Sequence, residues 1–254
     1  MDSLQASLAA KSWFGFDLDD TLHEFRAASG TVSLAVFEAI YSQHRLPIEY
    51  LQQSYSSILA QMTANAFACG KTSIEYRKER FALLLQAHHI SFHYTYLEKL
   101  AAIHKRALSK ALEPKPGALA LFQHLKRTGK TIIIITEGPR DAQEWTIEQL
   151  GLTQYVDILV TTNETGIAKV DGLFGEVLRR YRIKAEDMVW VGDSETRDVV
   201  PAAEAGILSI LYDEKSDCQL DGSGQPSSRL SINSLTKLEH ILRMGTHAAG
   251  KGEH

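Results

Sequence analysis

The order of hydrophobic and polar positions divides the chain into a short apolar run, a section of helical stripes, and a section where strands and helices alternate. The run Trp13–Phe16 carries no charge, which is typical of a strand buried in a sheet. From about Thr31 to Leu112, apolar residues recur at helical spacing in four segments. Four such stripes predict a small helical bundle with its own hydrophobic core.

Capping and turn residues mark where these helices begin and end. Pro47 suits the first turn of the second helix, and Gly70 is a typical stop signal after it. The sequence Thr72–Glu75 predicts a capping box that opens the third helix. The stretch Pro114–Gly117 then separates the helical section from the rest of the chain, as a hinge or linker does.

Beyond this linker the hydrophobic period changes, and β-branched segments alternate with amphipathic helices. The predicted strands are Thr131–Ile135, Val156–Val160, Met188–Val191 and Ile207–Leu211. Such alternation indicates a parallel sheet with right-handed crossovers, so we predict an α/β fold interrupted after its first strand by a helical cap. The expected boundaries are 1–24 and 114–245 for the α/β core, 25–113 for the cap, and 246–254 for a disordered tail.

Composition narrows the classes of partner. The 254 residues include 44% hydrophobic and 23% charged residues, which are ordinary values for a soluble globular protein. The net charge of −4, without a long basic run, disfavours a nucleic-acid polymer as partner. No apolar stretch approaches the roughly 20 residues of a membrane span, and the first residues lack the pattern of a signal peptide. The two cysteines are widely separated, so we expect reduced thiols in a cytoplasmic protein. We further expect a monomer or weak dimer without a membrane partner.

Polar residues with catalytic potential follow the predicted strands. They are Asp17 and Asp19 after the first strand, Thr136 after the second, Lys169 after the third, and Asp193 and Asp198 after the fourth. Parallel strands place their carboxyl ends at one edge of a sheet, so these side chains are predicted to converge. Several carboxylates suit Mg²⁺, whereas a hydroxyl and an ammonium suit the oxygens of a phosphate. One carboxylate can attack phosphorus, and a second can move the proton.

These residues resemble the motifs of the haloacid dehalogenase superfamily. The matching residues, in chain order, are Phe16–Leu22, Thr136, Lys169 and Gly192–Asp198. The position of the helical insert is similar to that of the C1 cap in some members. The resemblance implies a Rossmann-like parallel sheet and phosphoryl-transfer chemistry with Mg²⁺ as cofactor, because the second acid of the first motif, Asp19, separates phosphatases from dehalogenases.

The resemblance also implies a role for each acid. Asp17 would be the nucleophile and a Mg²⁺ ligand. Asp19 would be the general acid and base, and would also bind Mg²⁺ through its backbone carbonyl. Asp193 would be the third protein ligand, and Asp198 would support the ion directly or through water. For His23, just past the first motif, two alternatives stay open: contact with substrate, or a place in a solvated turn.

The same resemblance assigns the phosphate to Thr136 and Lys169, and Lys169 would also offset repulsion between Asp17 and the substrate. Two positions depart from the usual pattern. Glu137 follows Thr136 at the phosphate site, where relatives often have asparagine, and it would repel a phosphate unless its side chain turns away. Val170 follows Lys169 where proline is common, which leaves the lysine itself intact.

The interpretation that follows is a Mg²⁺-dependent phosphatase that acts on a small phosphorylated metabolite through an aspartyl phosphate. A nucleoside monophosphate is one candidate, because the cap pattern resembles the nucleotidase-like branch. The alternatives are a phosphatase of sugar phosphates or of isoprenoid and other lipophilic phosphates, a mutase, a 2-haloacid dehalogenase, and a non-catalytic binding protein. A dehalogenase would need neither Asp19 nor a metal, and a binding protein could lose acids that are intact here.

Substrate selection is predicted to lie in the cap. Because the insert is tethered at both ends, the loop between its second and third helices, residues 66–71, should lie over the active site. Phe67 would contact the leaving group and Lys71 an anion, or Phe67 would belong to the core of the bundle. We expect Arg77 and Arg80 to be salt-bridged or solvated, and the histidines outside the first motif to lie at the surface.

Overall fold

The computed structural model describes residues 2–63, 70–215 and 230–249. In these ranges it contains a six-stranded sheet in which every neighbouring pair is parallel. The strands are β1 (Trp13–Phe16), β2 (Thr131–Thr136), β3 (Ile158–Thr161), β4 (Met188–Gly192), β5 (Leu208–Tyr212) and β6 (Ser231–Ile232). Their order across the sheet is β3-β2-β1-β4-β5-β6, which places β1 near the centre. The α/β fold with a parallel sheet is thereby confirmed.

Both faces of the sheet are covered. Phe14 aligns with Ile132 on one side and with Val189 on the other, and all three belong to one hydrophobic core. Ile133 and Trp190 lie one position further along their strands and belong to the core on the opposite face. Because successive side chains point to opposite faces, burial on both faces makes these strands read as continuous apolar runs.

The helices of the described ranges fall into two groups. The insert between β1 and β2 consists of α2 (Phe25–His44), α3 (Ile48–Thr63), α4 (Ser73–Ala87) and α5 (Tyr94–Ala111). The others are α1 (Asp2–Ala10), α6 (Ala118–Arg127), α7 (Arg140–Gln149), α8 (Thr162–Thr165), α9 (Leu173–Tyr181), α10 (Val200–Glu204) and α11 (Leu235–Ala249). The insert has a hydrophobic core of its own, as the four apolar stripes predict.

Aromatic contacts and a capping box order the insert. Tyr55 of α3 makes an edge contact with Phe37 of α2, at 5.5 Å between ring centroids, and stacks on Phe81 of α4 at 6.1 Å. The capping box is present at the start of α4: the Thr72 hydroxyl accepts from the Glu75 N–H, and the Glu75 carboxylate accepts from the Thr72 N–H at 2.7 Å. This exchange satisfies two backbone donors that a helix start leaves free, so it fixes where α4 begins.

Two linkers join the insert to the core, and a buried lysine ties them together. The Lys115 ammonium donates to Glu24 of the first linker at 2.8 Å and to Glu214 of the core at 2.7 Å. Its backbone N–H donates to the carbonyl of Leu22 at 2.8 Å. Both linkers therefore meet beside the carboxyl end of β1, and the insert is attached at that edge of the sheet.

Two features differ from the sequence predictions. The hydrophobic pattern does not predict α1, which packs against α11 and buries Leu8 completely. The predicted disordered tail is wrong for residues 246–249, because α11 continues to Ala249, and residues 250–254 lie outside the described ranges. Once a helix is nucleated, each added residue gains a hydrogen bond, which lets small polar residues extend it. Within the described residues, the helices are too short or too polar to cross a membrane.

Candidate active site

The first motif forms a strand end followed by a tight turn. The backbone N–H of Asp17 donates to the carbonyl of Val191 at 3.0 Å, so pairing with β4 continues past β1 and holds this carboxyl at the sheet edge. Asp20 adopts a left-handed backbone with φ 62°, and its carboxylate accepts from the N–H of Arg26 at 3.0 Å. The two catalytic candidates therefore lie in different environments: Asp17 is buried, whereas the side chain of Asp19 is 26% exposed.

His23 holds the side chain of Asp19. Its Nε2 lies 2.9 Å from Asp19 Oδ1, and the imidazole is almost completely buried. The ring also makes an edge contact with Phe25 at the start of α2, at 6.1 Å between centroids. Of the two alternatives for His23, the solvated turn is therefore wrong. The residue positions Asp19 beside the start of the insert.

Lys169 is the centre of the buried charges. It lies in the short turn Lys169–Asp171 before α9 and is 2% exposed. Its ammonium donates to Asp17 Oδ1 at 2.5 Å and to Asp198 Oδ1 at 2.6 Å. Two carboxylates contact one cation, so the lysine stabilises both anions in a site that water barely reaches.

The fourth motif brings a second and a third carboxylate toward Asp17. A side chain at Gly192 would place its Cβ 2.5 Å from the Asp198 side chain, so only glycine permits this approach. The Asp198 carboxylate is fixed by Lys169 and by the backbone N–H of Ser194 at 3.1 Å. Carboxylate oxygens of Asp17, Asp193 and Asp198 all lie within 4.8 Å of one another. This all-oxygen donor set fits a hard divalent cation such as Mg²⁺.

Burial and the proximity of other charges shift the pKa values of these acids and of Lys169. Burial raises the pKa of Asp17 to about 8; the ammonium of Lys169 offsets part of this rise, and the carboxylates of Asp198 and Asp19 add smaller increases. Burial also raises the pKa of Asp193, and Asp198 adds to that effect. Burial alone would lower the pKa of Lys169, but Asp17 and Asp198 outweigh it and raise the pKa, so the lysine stays protonated. A divalent cation among the carboxylates would relieve their mutual repulsion.

Thr136 and Glu137 lie at the end of β2 and behave differently. Thr136 is 1% exposed, and its hydroxyl has no hydrogen-bond partner among the described residues, so it is free to donate to an anion in the pocket. Glu137 Oε2 lies 3.3 Å from Nη1 of Arg197. The guanidinium neutralises the carboxylate that departs from the usual pattern, which reduces its repulsion of a phosphate.

A pocket of about 170 Å³ joins these groups. Its lining consists of Asp17, Asp19, Asp20, Phe25, Arg26, Thr136, Glu137, Lys169, Arg197 and Asp198. The predicted residues from four strand ends thus meet in one place. Asp193 does not line the pocket, but its carboxylate lies within 4.8 Å of those of Asp17 and Asp198. The space suits a group as small as a phosphate.

The comparisons with known proteins agree with this arrangement. A family model described as haloacid dehalogenase-like hydrolase matches residues 12–206. The chain belongs to this family. The match extends from the start of β1 to the turn after α10, and so it includes the residues that line the pocket.

Relatives of this haloacid dehalogenase-like hydrolase include named phosphatases. Glyceraldehyde 3-phosphate phosphatase of Methanocaldococcus jannaschii is 32% identical over 135 residues, 52% of this chain and 58% of that protein. The alignment therefore spans little more than half of the relative. Pyrimidine 5′-nucleotidase YjjG of Escherichia coli is 25% identical over 232 residues, 91% of this chain and 97% of that protein.

Solved structures support the fold of the hydrolase. A crystal structure of 2-haloacid dehalogenase from Pseudomonas syringae pv. Tomato superposes with a TM-score of 0.64 at 24% identity. The superposition covers 92% of this chain and 99% of the other. At this identity the likeness shows the fold alone, and the activity has to be argued from the site.

A second cavity of about 370 Å³ lies between the insert and the core of the hydrolase. It shares Asp19, Glu137 and Arg197 with the catalytic pocket, so the two spaces adjoin. Arg77 and Arg80 of α4 line it. Of the two expectations for these arginines, the salt bridge is wrong, because no carboxylate of the described residues lies within 4.0 Å of either guanidinium. Both side chains are only partly exposed to solvent.

The loop predicted to lie over the active site is only partly described. Phe67 lies outside the described residues, so its role stays a prediction. Lys71 is exposed, and its ammonium contacts Glu79 at 2.8 Å and faces the ring of Tyr76 at 5.7 Å. Lys71 does not line either space, whereas Ser73, two residues later, does line the second cavity. The start of α4 therefore reaches the second cavity, whereas Lys71 does not meet an anion site and the placement of residues 66–69 stays a prediction.

Several residues of the site escape sequence reasoning. Arg26 lies 3.4 Å from Asp193 and 3.2 Å from Asp20, yet it stands outside every motif. Arg197 lies within the fourth motif, and only the unusual acid at Glu137 signals a need for a cation there. The expectation that the remaining histidines lie at the surface is also wrong for His124, which is buried, and for His104, which is partly buried and lines the second cavity.

Proposed function

We propose that this protein is a Mg²⁺-dependent phosphomonoester hydrolase that forms an aspartyl phosphate on Asp17. The observation that carries the proposal is the contact of Asp17 with Lys169 in a pocket that also contains Thr136 and Asp19. A nucleophile, a cation, a free hydroxyl and a second acid are the groups that phosphoryl transfer to a carboxylate requires. The phosphatase names of the relatives point the same way.

Each residue has one task in the proposed reaction. A carboxylate oxygen of Asp17 attacks phosphorus while the bond from phosphorus to the leaving oxygen breaks. Lys169 and the Thr136 hydroxyl hold the other phosphoryl oxygens, where negative charge must be stabilised. Asp19 gives its proton to the leaving oxygen. It then takes a proton from the water that attacks the aspartyl phosphate, and this step releases inorganic phosphate and restores Asp17.

The hydrogen bond from His23 supports the task of Asp19. A carboxyl group that must both give and take a proton works best when its orientation is fixed. The contact at 2.9 Å sets that orientation before substrate arrives. It also keeps the carboxylate of Asp19 apart from the three-carboxylate cluster, which does not include it.

The proposed cation would be held by the carboxylates of Asp17, Asp193 and Asp198, with the backbone carbonyl of Asp19 as a further ligand. When bound, Mg²⁺ would supply positive charge that polarises the phosphate and screens the acids. The fit rests on the all-oxygen cluster, whose oxygens lie within 4.8 Å of one another.

The proposed substrate is a small phosphorylated metabolite. The catalytic pocket has room for little more than the phosphate, so the leaving group must lie in the adjoining cavity beneath the insert. Sugar phosphates and nucleoside monophosphates are both candidates, as the names of the two relatives suggest for those proteins. Dehalogenation is disfavoured, because Asp19 is present and oriented by a buried histidine.

The proposal is tested by phosphate release from p-nitrophenyl phosphate and a panel of sugar and nucleoside phosphates. Asp17→Asn should lower turnover by about a thousandfold or more, because an amide is a poor nucleophile. Glu186→Gln makes the same change of acid to amide at an exposed site and should keep wild-type turnover. EDTA should abolish activity, and added Mg²⁺ should restore it.

Covalent catalysis has its own readout. Mass spectrometry of wild-type protein quenched during turnover should detect a phosphoryl adduct that is absent from Asp17→Asn. Full phosphatase activity in Asp17→Asn would contradict the proposal. Release of halide from a 2-haloacid in the presence of EDTA would favour a dehalogenase instead.

A further inference from the structure

Two arginines of the insert face the space where the leaving group must lie. Arg77 and Arg80 are three residues apart on α4, so they project from one face of the helix. Both line the cavity of about 370 Å³, together with Asp19 and Glu137 from the catalytic edge. The cavity therefore has a catalytic end and a cationic wall.

The acids nearest to this wall are already engaged. The Asp141 carboxylate of α7, which attracts Arg77, accepts from the Ser73 N–H at 2.9 Å and from the Ser73 hydroxyl at 2.8 Å. Glu137 is paired with Arg197. In the described ranges no carboxylate lies within 4.0 Å of Arg77 or Arg80.

Arg80 also retains an unused donor. The Nε of Arg80 is buried and has no hydrogen-bond partner among the described residues. Burial raises the pKa of Tyr55 on α3, and the nearby guanidinium of Arg80 offsets part of that rise. His104 on the same wall is neutral at ordinary pH, because burial and the two arginines lower its pKa to about 3. Partly buried cations with no carboxylate in contact cost folding free energy, so an anion in this cavity would be bound favourably.

We propose that Arg77 and Arg80 bind a second anionic group of the substrate, on the part that leaves after phosphoryl transfer. The inference rests on the proposed phosphatase function and deepens it by naming the substrate class: small metabolites that carry an oxyanion at each end. Guanidinium forks match a carboxylate or a phosphate with paired hydrogen bonds. The apolar side chains of Leu59 and Leu108 in the same cavity would contact the carbon chain between the two charges.

The test compares substrates that differ mainly in the second charge. 3-Phosphoglycerate has a carboxylate where glycerol 3-phosphate has a neutral hydroxymethyl group. Fructose 1,6-bisphosphate has a phosphate where fructose 6-phosphate has a hydroxyl. The wild-type protein should prefer the doubly anionic member of at least one pair by tenfold or more in kcat/KM, and the pair that responds identifies the oxyanion as carboxylate or phosphate.

Arg77→Gln, Arg80→Gln and the double variant should remove that preference, mainly through a higher KM. Turnover of p-nitrophenyl phosphate, which has no second anion, should change less than twofold. Arg77→Lys should restore only part of the preference, because an ammonium keeps the charge but lacks the fork. Arg106→Gln removes an exposed arginine of α5 that lines neither space, and this variant should behave as wild type.

The outcomes separate this inference from the proposed function. If wild type hydrolyses phosphomonoesters but shows no preference in either pair, or if the double variant keeps the preference, the second-anion site is wrong and the phosphatase stands. If neither p-nitrophenyl phosphate nor any panel member is hydrolysed in the presence of Mg²⁺, the proposed function itself fails.

Discussion

The catalytic pocket and the cavity beneath the insert treat their cations in opposite ways. In the pocket, Lys169 contacts two carboxylates and Arg197 contacts Glu137, so each positive charge already has an anion. In the cavity, Arg77 and Arg80 have no carboxylate within 4.0 Å among the described residues. The difference indicates that the pocket is complete before substrate arrives, whereas the cavity needs the substrate to complete it.

The origin of the two regions explains the difference. The pocket is built from the ends of β1, β2 and β4, whose hydrogen-bonded register fixes each side chain against the others. The cavity lies between α4 and the core, which are joined across the gap by the contact of Ser73 with Asp141. Changes in the pocket should therefore affect the chemical step and stability, and changes in the cavity should affect the choice of substrate.

The largest effect is expected for Lys169→Met. The variant removes the only ammonium that contacts Asp17 and Asp198 in the described structure, and both acids stay buried. Breaking a buried ion pair by removing one partner costs about 3–5 kcal/mol. We expect the free energy of unfolding to fall by about 3 kcal/mol and turnover of p-nitrophenyl phosphate to fall by about a thousandfold.

Denaturant unfolding and steady-state kinetics measure both effects. Lys184→Met removes a lysine that is 73% exposed, and it should change the free energy of unfolding by less than about 0.5 kcal/mol. The comparison would break if the Arg77 and Arg80 double variant lost as much activity toward p-nitrophenyl phosphate as Lys169→Met does. That result would make the insert part of the chemical machinery.

The pocket could be predicted from the sequence because it depends on strand ends. Asp17, Thr136, Lys169 and Asp198 each follow an apolar run, and parallel strands bring such positions to one edge whatever the details of packing. The sheet is recognisable for the same reason, since its strands are continuous β-branched runs buried on both faces. Strand boundaries then differ from the prediction by only one or two residues.

The cavity could not be predicted, because it depends on how α4 sits against the core. The spacing of Arg77 and Arg80 is equally compatible with a solvated helix face. Their partial burial follows from tertiary contacts of α4 with α3 and α5 and from that of Ser73 with Asp141, which are 68 residues apart in the chain. Helix α1 escapes prediction for a similar reason, since the burial of Leu8 depends on α11 at the other end of the chain.

His104 on the cavity wall should make the free energy of unfolding depend on pH, with an effect smaller than that of Lys169→Met. The folded protein keeps His104 neutral because its pKa is lowered to about 3, whereas in the unfolded chain the ordinary value is 6.5. Below pH 6.5 the unfolded state therefore binds a proton that the folded state does not, and stability falls as the pH falls. Between pH 7 and pH 5 this histidine should remove about 2 kcal/mol from the free energy of unfolding.

His104→Met should flatten that dependence, as measured by urea unfolding at the two pH values. His93→Met replaces an exposed histidine just before α5, the helix that contains His104, and leaves His104 in place, so it should keep the wild-type difference. Equal pH dependence in wild type and His104→Met would show that the histidine is not held neutral by burial and the arginines.

The pairing of Glu137 with Arg197 predicts the next effect in size, which lies inside the pocket. Arg197→Gln leaves the Glu137 carboxylate beside the phosphate site without its cation, so kcat/KM should fall about tenfold through electrostatic repulsion. Glu137→Gln in the same protein should recover most of the loss. If the double variant is as impaired as Arg197→Gln alone, the arginine contacts the substrate directly and does not act by neutralising Glu137.

The smallest effect concerns the contact between the insert and the core. Asp141→Ala removes the acceptor of three hydrogen bonds from Ser73, at the point where α4 reaches α7. Exposed hydrogen bonds of this kind contribute about 0.5–1 kcal/mol, so kcat/KM for a doubly anionic substrate should fall two- to fivefold. Asp141→Asn keeps an acceptor oxygen and should lose less. Glu148→Ala, at an exposed site of the same helix, should lose nothing.

The effect should be confined to substrates that need the arginines, because the contact positions α4 and leaves the strand ends unchanged. An equal loss toward p-nitrophenyl phosphate would mean that this contact also orders the catalytic edge.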